Sequence, residues 1–184
     1  MDIKISKEVS KILDFARNEA LRTGCQTIGA GHLMLALIRH KSNPAMEILS
    51  ELNIDTNALK AALDDALFKT EAIPYDQAAS IKPDKEARKV LSIAAYEALK
   101  EETDTVSTGH VLLALSRAGF ETLDNFFYQS GLDYDILLRH LQKRNGNLSS
   151  GKTPAPILRH IMGALGEQLS NIIHDQQDSS CFPS

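Results

Sequence analysis

The hydrophobic pattern of the chain is organised around a short apolar run that occurs twice. Residues 33–37 read Leu-Met-Leu-Ala-Leu and residues 111–115 read Val-Leu-Leu-Ala-Leu, and a Gly-His pair precedes each run. A helix buried on every side has this pattern, although a short apolar run is also compatible with a strand. The helical periodicity on both sides, together with the Leu, Ala and Met content, favours the helix. The sequence therefore predicts a buried central helix in each of two copies of one module.

The residues around the first run predict a module of four helices with marked ends. Ser6 is a suitable N-cap for the first helix, and Gly24 can end it in a left-handed conformation. Asn43 followed by Pro44 predicts the start of a third helix, and residues 53–55 separate the third helix from the fourth. The first module is expected to span residues 1–67.

The same pattern returns 78 positions later without a gap. Asp84 takes the place of Ser6 as an N-cap, and Gly31-His32 falls on Gly109-His110. A match of this kind predicts an internal duplication, with a second module over residues 84–144 and a linker over residues 68–83. The predicted fold class is all-α, with two tandem four-helix repeats related by pseudo-twofold symmetry.

Residues 145–184 differ from the two modules in composition. Gly, Asn, Ser, Lys and Pro dominate residues 145–156, which is typical of a flexible linker. Apolar residues then recur at helical spacing and predict an amphipathic helix over residues 157–174, followed by a disordered tail. This helix is expected either to dock on the two repeats or to bind a partner, and the sequence leaves both alternatives open.

Composition and charge restrict the function classes. A net charge of −4 argues against a general nucleic-acid-binding protein, which normally has a basic face. No apolar run is long enough to predict a membrane span, so no membrane partner is expected. The two cysteines, Cys25 and Cys181, do not imply a disulfide framework, which makes a reducing, cytoplasmic compartment the default expectation.

The residues with candidate chemistry indicate a structural role rather than catalysis. His32 and His110 occupy equivalent places at the start of two buried helices, where an imidazole can bond to a neighbouring loop. Metal sites usually need three or four convergent ligands, and no zinc-type spacing is present. No phosphate-binding loop and no Ser or Cys nucleophile with an oriented His can be assembled. We therefore predict no catalytic residues, metal or cofactor, and an enzyme with an unrecognised site around the two histidines remains the minor alternative.

The duplicated module resembles the amino-terminal repeat domain of the Clp family of AAA+ unfoldases. The turn that enters each buried helix and the helix junction at residues 53–55 and 131–133 support the resemblance. Residues 17–24 and 32–39 are most similar to the ClpC type. The resemblance implies a pseudo-twofold pair of four-helix repeats without activity of its own. It also implies partners among protein substrates, adaptor proteins or Clp ATPase subunits.

One departure from the family concerns the ATPase modules, because no Walker motif follows residue 144. Two interpretations follow. The chain is either a free-standing relative or the N-terminal fragment of a ClpC-type ATPase subunit of the Clp protease. The ending Cys181-Phe182-Pro183-Ser184 favours a natural terminus.

The second departure concerns the ligand. In some ClpC-type domains, a Glu just before each turn His helps to hold a phosphorylated arginine. Gly31 and Gly109 stand at those places here, which removes the charge-assisted bonds and disfavours phosphoarginine. By resemblance, the expected peptide- or adaptor-binding residues are Ser6, Gly31, Asp84, Arg88 and Gly109.

Overall fold

The computed structural model describes residues 2–69 and 71–144, and this part of the chain contains eight α-helices. The first four are α1 Lys7–Thr23, α2 Ala30–His40, α3 Pro44–Glu51 and α4 Thr56–Leu67. The second four are α5 Lys85–Lys100, α6 Thr108–Leu115, α7 Glu121–Gln129 and α8 Tyr134–Arg144. The all-α prediction is confirmed. The predicted linker, helix and tail of residues 145–184 lie outside the described residues.

Helix boundaries follow the capping residues that the sequence predicts. Ser6 Oγ accepts a hydrogen bond from the Val9 amide at 3.1 Å, and Gly24 ends α1 with a φ of 76°. Asn43 caps α3 ahead of Pro44, and Asp55 caps α4. Each cap satisfies an amide of the first turn that has no partner within its own helix.

The two central helices are buried along nearly their whole length. In α2 every residue from Ala30 to Ile38 is buried, and in α6 every residue from Thr108 to Leu115 is buried. α2 packs mainly on α1, and α6 packs mainly on α5. The helical interpretation of the two apolar runs is therefore correct.

We call residues 2–69 the first half and residues 82–144 the second half. Within the described residues, four two-residue strands, which the hydrophobic pattern did not predict, connect the two halves. They are β1 Lys4–Ile5, β2 Thr27–Ile28, β3 Lys82–Pro83 and β4 Thr105–Val106. β1 pairs in parallel with β4, and β2 pairs in parallel with β3. Strands of two residues are too short to produce a period-two pattern, so the sequence carried no signal for them. Each half therefore contributes one strand to each pair.

Helices from the two halves also pack directly on each other. α3 contacts α6, α4 contacts α7, and α2 contacts α5 and α6. The buried apolar residues of both halves form one continuous cluster. Between α4 and the predicted second module, a 3₁₀ helix spans Tyr75–Ser80 and packs on α1. The boundary between the halves is thus a packed interface, and its edge holds the cleft described next.

Candidate functional site

A cleft of about 600 Å³ lies where the two halves meet. The first half contributes the end of α1, the start of α2 and the end of α4, and the second half contributes the start of α5 and the connection between α6 and α7. The lining is mainly apolar or glycine, with a few charged groups. The residues used below are Gly31, His32, Ala66, Leu67, Lys69, Asp84, Glu86 and Phe120.

Gly31 forms part of the wall because it has no side chain. A Cβ added there would lie 2.7 Å from Cδ1 of Leu67 and 3.0 Å from Cε1 of Phe120. These two side chains come from different halves, and both are partly buried. Gly31 thus lets Leu67 and Phe120 approach the first turn of α2, where they make that side of the cleft apolar.

His32 is held in the cleft wall by both ring nitrogens. Nδ1 accepts a hydrogen bond from the Gly29 amide at 2.9 Å, and Nε2 lies 3.0 Å from Oγ1 of Thr23. Because Nδ1 is an acceptor, the neutral ring carries its proton on Nε2 and donates it to Thr23. These bonds fix the ring as part of the turn.

Burial keeps this ring neutral. The His32 side chain is almost fully buried, and burial lowers its pKa from the ordinary 6.5 to about 4. The positive charge of Arg22 lowers the pKa further, while the carboxylate of Asp84 opposes the shift. At neutral pH the ring is uncharged, and both nitrogens are already in hydrogen bonds. This arrangement suits a structural group better than a base or a metal ligand.

Asp84 lines the cleft from the second half. Its Oδ1 accepts a hydrogen bond from the Ala87 amide at 2.8 Å and so caps α5, and its own amide donates to the carbonyl of Ile28. Glu86 adds a second acidic side chain, and Lys69 supplies a basic one from the opposite side. Arg88, one turn further along α5, is exposed and lies outside the cleft lining.

Ser6 and Gly109 belong to the corresponding turn beside the β1–β4 pair. The Ser6 amide donates to the carbonyl of Val106 in β4, and Gly109 follows at the start of α6. A Cβ at Gly109 would lie 2.5 Å from Cδ1 of Leu141, which is 1% exposed. Of the five expected binding residues, the structure therefore brings Gly31 and Asp84 together in the cleft. It places Ser6, Arg88 and Gly109 elsewhere.

His110 repeats the bonding of His32 with one change. Its Nδ1 accepts from the Ser107 amide at 2.9 Å, as in the first half. Its Nε2, however, lies 2.9 Å from Oε2 of Glu101 instead of a hydroxyl. The two His side chains thus make the same Nδ1 bond to the turn, whereas the partners of their Nε2 atoms differ.

Sequence reasoning missed two buried acidic residues, Glu19 and Glu97. Glu19 pairs with Arg22 at 2.6 Å, and Glu97 pairs with Lys100 at 2.9 Å. Their signal was present, because both lie between apolar inward positions and recur 78 residues apart. Phe120 was also missed, and no local pattern indicated that it would reach the first half.

Two kinds of site are absent from residues 2–69 and 71–144. Within these ranges, no three His, Cys, Asp or Glu side chains are grouped so that they could hold a metal ion. Nor does any helix there have the length and apolar character needed to cross a membrane.

Comparisons with known proteins agree with the fold. Residues 4–129 match the Clp repeat (R) N-terminal domain family. The chain is 28% identical over 116 residues to the negative regulator of genetic competence ClpC/MecB of Bacillus subtilis, covering 63% of this chain and 14% of that protein. The chain thus spans about a seventh of the length of that curated relative.

Two solved structures have the same fold. The Hsp104 N-terminal domain of Candida albicans matches with a TM-score of 0.61 at 18% identity, covering 83% of this chain and 98% of that one. The N-terminal domain of ClpD from Arabidopsis thaliana matches with a TM-score of 0.62 at 14% identity, covering 78% and 96%. With the family match over residues 4–129, these findings lead to one conclusion: the chain belongs to the family of Clp repeat N-terminal domains.

Proposed function

We propose that this chain is a non-catalytic protein-binding domain that recognises substrates or adaptors for ATP-dependent unfolding and proteolysis by Clp proteins. Family membership supports the class, and the cleft between the two halves carries the proposal. The cleft is large enough for one or two side chains of a bound segment, and its walls are apolar with few charged groups. Mostly apolar walls with a few polar groups are typical of sites that hold a ligand by shape and apolar contact.

The geometry of the cleft favours apolar contact over recognition of phosphoarginine. Gly31 supplies no carboxylate for a guanidinium, and Leu67 and Phe120 fill the space that a longer side chain would need. Asp84 and Glu86 would repel a phosphate from the second half. The proposed ligand is therefore an apolar segment of a substrate or adaptor.

The second candidate is the N-terminal domain of a complete ClpC-type ATPase subunit. The small share of the curated relatives that the chain covers favours it, because those relatives are several times longer. An antibody against the described domain distinguishes the candidates by the mass of the endogenous protein. A band near 20.2 kDa supports the free-standing protein, and a much larger band supports the ATPase subunit.

Affinity capture with matched variants tests the proposed function. Ala66 is exposed on α4 and lines the cleft, while Ala61 is exposed on the same helix outside the cleft lining. We expect the wild-type chain and Ala61→Arg to capture the same Clp subunits, adaptors or clients, and Ala66→Arg to lose most of them. Equal capture by all three proteins would reject the cleft as the binding site, and capture of none of these classes would reject the function.

A further inference from the structure

The turn that enters α2 at the cleft differs from its counterpart at α6 in the residue that precedes the helix. Gly29 is the N-cap residue of α2, and Ser107, 78 positions later, is the N-cap residue of α6. The Ser107 hydroxyl accepts a hydrogen bond from the His110 amide at 3.4 Å. Gly29 has no side chain that could do the same. Only the turn at α6 therefore has a side-chain cap.

The backbone does not require glycine at position 29. Gly29 has φ −104° and ψ −179°, and Ser107 has φ −101° and ψ 170°. Both are extended conformations that any residue can adopt. The surroundings of Gly29 are what distinguish it, because a Cβ there would lie 3.2 Å from Oδ2 of Asp84. Gly29 and Asp84 both line the cleft, so the missing side chain leaves the space beside this oxygen open to a ligand.

The fold uses only one of the two carboxylate oxygens of Asp84. Oδ1 caps α5 by accepting from the Ala87 amide at 2.8 Å. Within residues 2–69 and 71–144, this cap is the one side-chain hydrogen bond of Asp84, and Asp84 forms no ion pair there. Ser6 occupies the equivalent place before α1 and caps that helix with an uncharged hydroxyl. Capping at this place thus needs one acceptor and no charge, and the dipole of α5 stabilises the carboxylate without occupying Oδ2.

The other groups that line the cleft do not neutralise this carboxylate. Glu86 adds a second negative charge at the start of α5, and Lys69 supplies a positive charge from the opposite side. The buried His32 ring carries no charge at neutral pH, because burial lowers its pKa to about 4. The charged lining residues Lys69, Asp84 and Glu86 therefore sum to one negative charge.

Three further basic residues are found near this wall but outside the cleft lining. Arg22 forms ion pairs with Glu19 and Asp64 at 2.6 Å each. Lys85 and Arg88 are exposed on α5. Arg22 is thus already paired in the first half, and the two residues of α5 face solvent.

We propose that the cleft binds a segment in which a basic side chain stands next to an apolar one, with the basic group held by Oδ2 of Asp84. The apolar side chain contacts Leu67 and Phe120 beside Gly31. Gly29 and Gly31 are two residues apart, so neighbouring side chains of one segment reach both places. A cation that donates to a carboxylate forms a stronger hydrogen bond than a neutral donor does. The inference rests on the proposed function and adds to it the charge of the ligand.

Binding of defined peptides to the full chain tests the inference. The probes are acetylated and amidated seven-residue peptides of sequence Gly-Ser-Leu-X-Phe-Ser-Gly, in which X is Lys, Gln or Glu. Fluorescence anisotropy of labelled peptides at low salt gives each Kd. We expect the wild-type chain to bind the Lys peptide about fivefold more tightly than the Gln peptide, as a partly exposed ion pair allows. The Glu peptide is expected to bind most weakly.

Three variants assign the preference to Asp84. Asp84→Asn removes the charge but keeps an acceptor for the Ala87 amide, so the preference for Lys over Gln should fall to about twofold or less. Gly29→Ser supplies a hydroxyl that can donate to Oδ2, and the preference should fall there also. The matched control is Asp55→Asn, which makes the same change at the N-cap of α4 outside the cleft lining. This control should keep the wild-type preference, and circular dichroism checks that each variant is folded.

Four outcomes would overturn the inference. They are an equal Kd for the Lys and Gln peptides in the wild type, no binding of the Lys peptide, an undiminished preference in both Asp84→Asn and Gly29→Ser, and an equal loss of preference in Asp55→Asn. Tighter binding of a Gln peptide that begins with a free N-terminal Leu would overturn the choice of a side chain as the cation.

Ala66→Arg separates this inference from the proposed function. It should weaken binding of the Lys and Gln peptides alike, because it obstructs the cleft that both enter. Peptides that bind the wild type regardless of charge and are lost in Ala66→Arg would refute the charge preference and leave the cleft as the binding site. Peptides that bind Ala66→Arg as well as the wild type would refute both.

Discussion

The two halves of this molecule use the same turn but finish it differently. In both, the Nδ1 atom of a buried His accepts the amide of the N-cap residue at 2.9 Å. The Nε2 atom then meets the Thr23 hydroxyl in the first half and the Glu101 carboxylate in the second. The backbone bond is common to both halves, so it defines the turn. The partner of Nε2 differs between the halves, so it does not define the turn.

The buried carboxylates of Glu19 and Glu97 also occupy equivalent positions in the two halves but have different partners. Glu97 is 1% exposed and accepts from the hydroxyl of Tyr134, which in turn accepts from Lys100 at 2.6 Å. Burial would lower the pKa of Lys100, but its bonds to Tyr134 and Glu97 outweigh that effect and raise it. Glu19 instead meets Arg22, which also holds Asp64. The second half thus relies on one carboxylate where the first relies on two.

The largest expected difference between the halves comes from neutralising each buried carboxylate. Glu97→Gln leaves the ammonium of Lys100 without its buried counterion, and we expect a loss of about 3 kcal/mol in the free energy of unfolding. Glu19→Gln is expected to cost about 1 kcal/mol, because Arg22 keeps its ion pair with Asp64. Urea unfolding of the two variants measures the difference. Equal losses would mean that the two networks are equivalent after all.

A smaller effect should appear in the pH dependence of stability. The folded pKa of His32, about 4, lies below its ordinary value of 6.5, so the unfolded chain takes up a proton first as the pH falls. Stability from this residue is fully present above about pH 7 and declines as the pH falls from 6.5 towards 4. We expect protonation of His32 to lower the free energy of unfolding by about 2 kcal/mol between pH 7 and pH 5.

The variant His32→Asn isolates this contribution. Asn retains an acceptor for the Gly29 amide and does not titrate. The free energy of unfolding lost between pH 7 and pH 5 should therefore be smaller by about 2 kcal/mol in the variant. Urea unfolding at several pH values measures both curves. An unchanged pH dependence in the variant would assign the effect to other groups.

The smallest expected difference concerns the two glycines that precede the histidines. A Cβ at Gly109 would meet Leu141, which is buried and has little room to move, so Gly109→Ala should cost about 1–2 kcal/mol. At Gly31 the obstructing Leu67 is only partly buried and can shift. Gly31→Ala should leave the free energy of unfolding nearly unchanged, because the gain in helix propensity offsets the close contact with Leu67. Urea unfolding checks both, and a larger loss at Gly31 would contradict the interpretation of the cleft wall as adjustable.

Most of the helical architecture could be predicted from the sequence because its signals are local. Ser6, Asn43, Asp55 and Asp84 each bond to an amide two or three residues away, so the chain itself records where these helices begin. The apolar runs at 33–37 and 111–115 likewise report burial directly. The resemblance to the Clp repeat domain came from other local signals: the turns that enter the two buried helices, the helix junctions at 53–55 and 131–133, and residues 17–24 and 32–39.

The cleft could not be predicted because it depends on contacts between distant parts of the chain. Phe120 and Leu67 meet across Gly31, and no short pattern links their positions. Arg88 was carried over by resemblance, but its exposed place outside the cleft follows from how α5 is rotated. The expected binding roles of all five residues, Ser6, Gly31, Asp84, Arg88 and Gly109, remain predictions.

The reciprocal pairing of β1 with β4 and β2 with β3 has a practical consequence for dividing the chain. A cut near residue 70 would separate each two-residue strand from its hydrogen-bonding mate and expose the helices at the contact of α3 with α6. Neither fragment would then be a complete folding unit. Co-expressed as separate polypeptides, they should reassemble into one non-covalent heterodimer with each strand restored to its place.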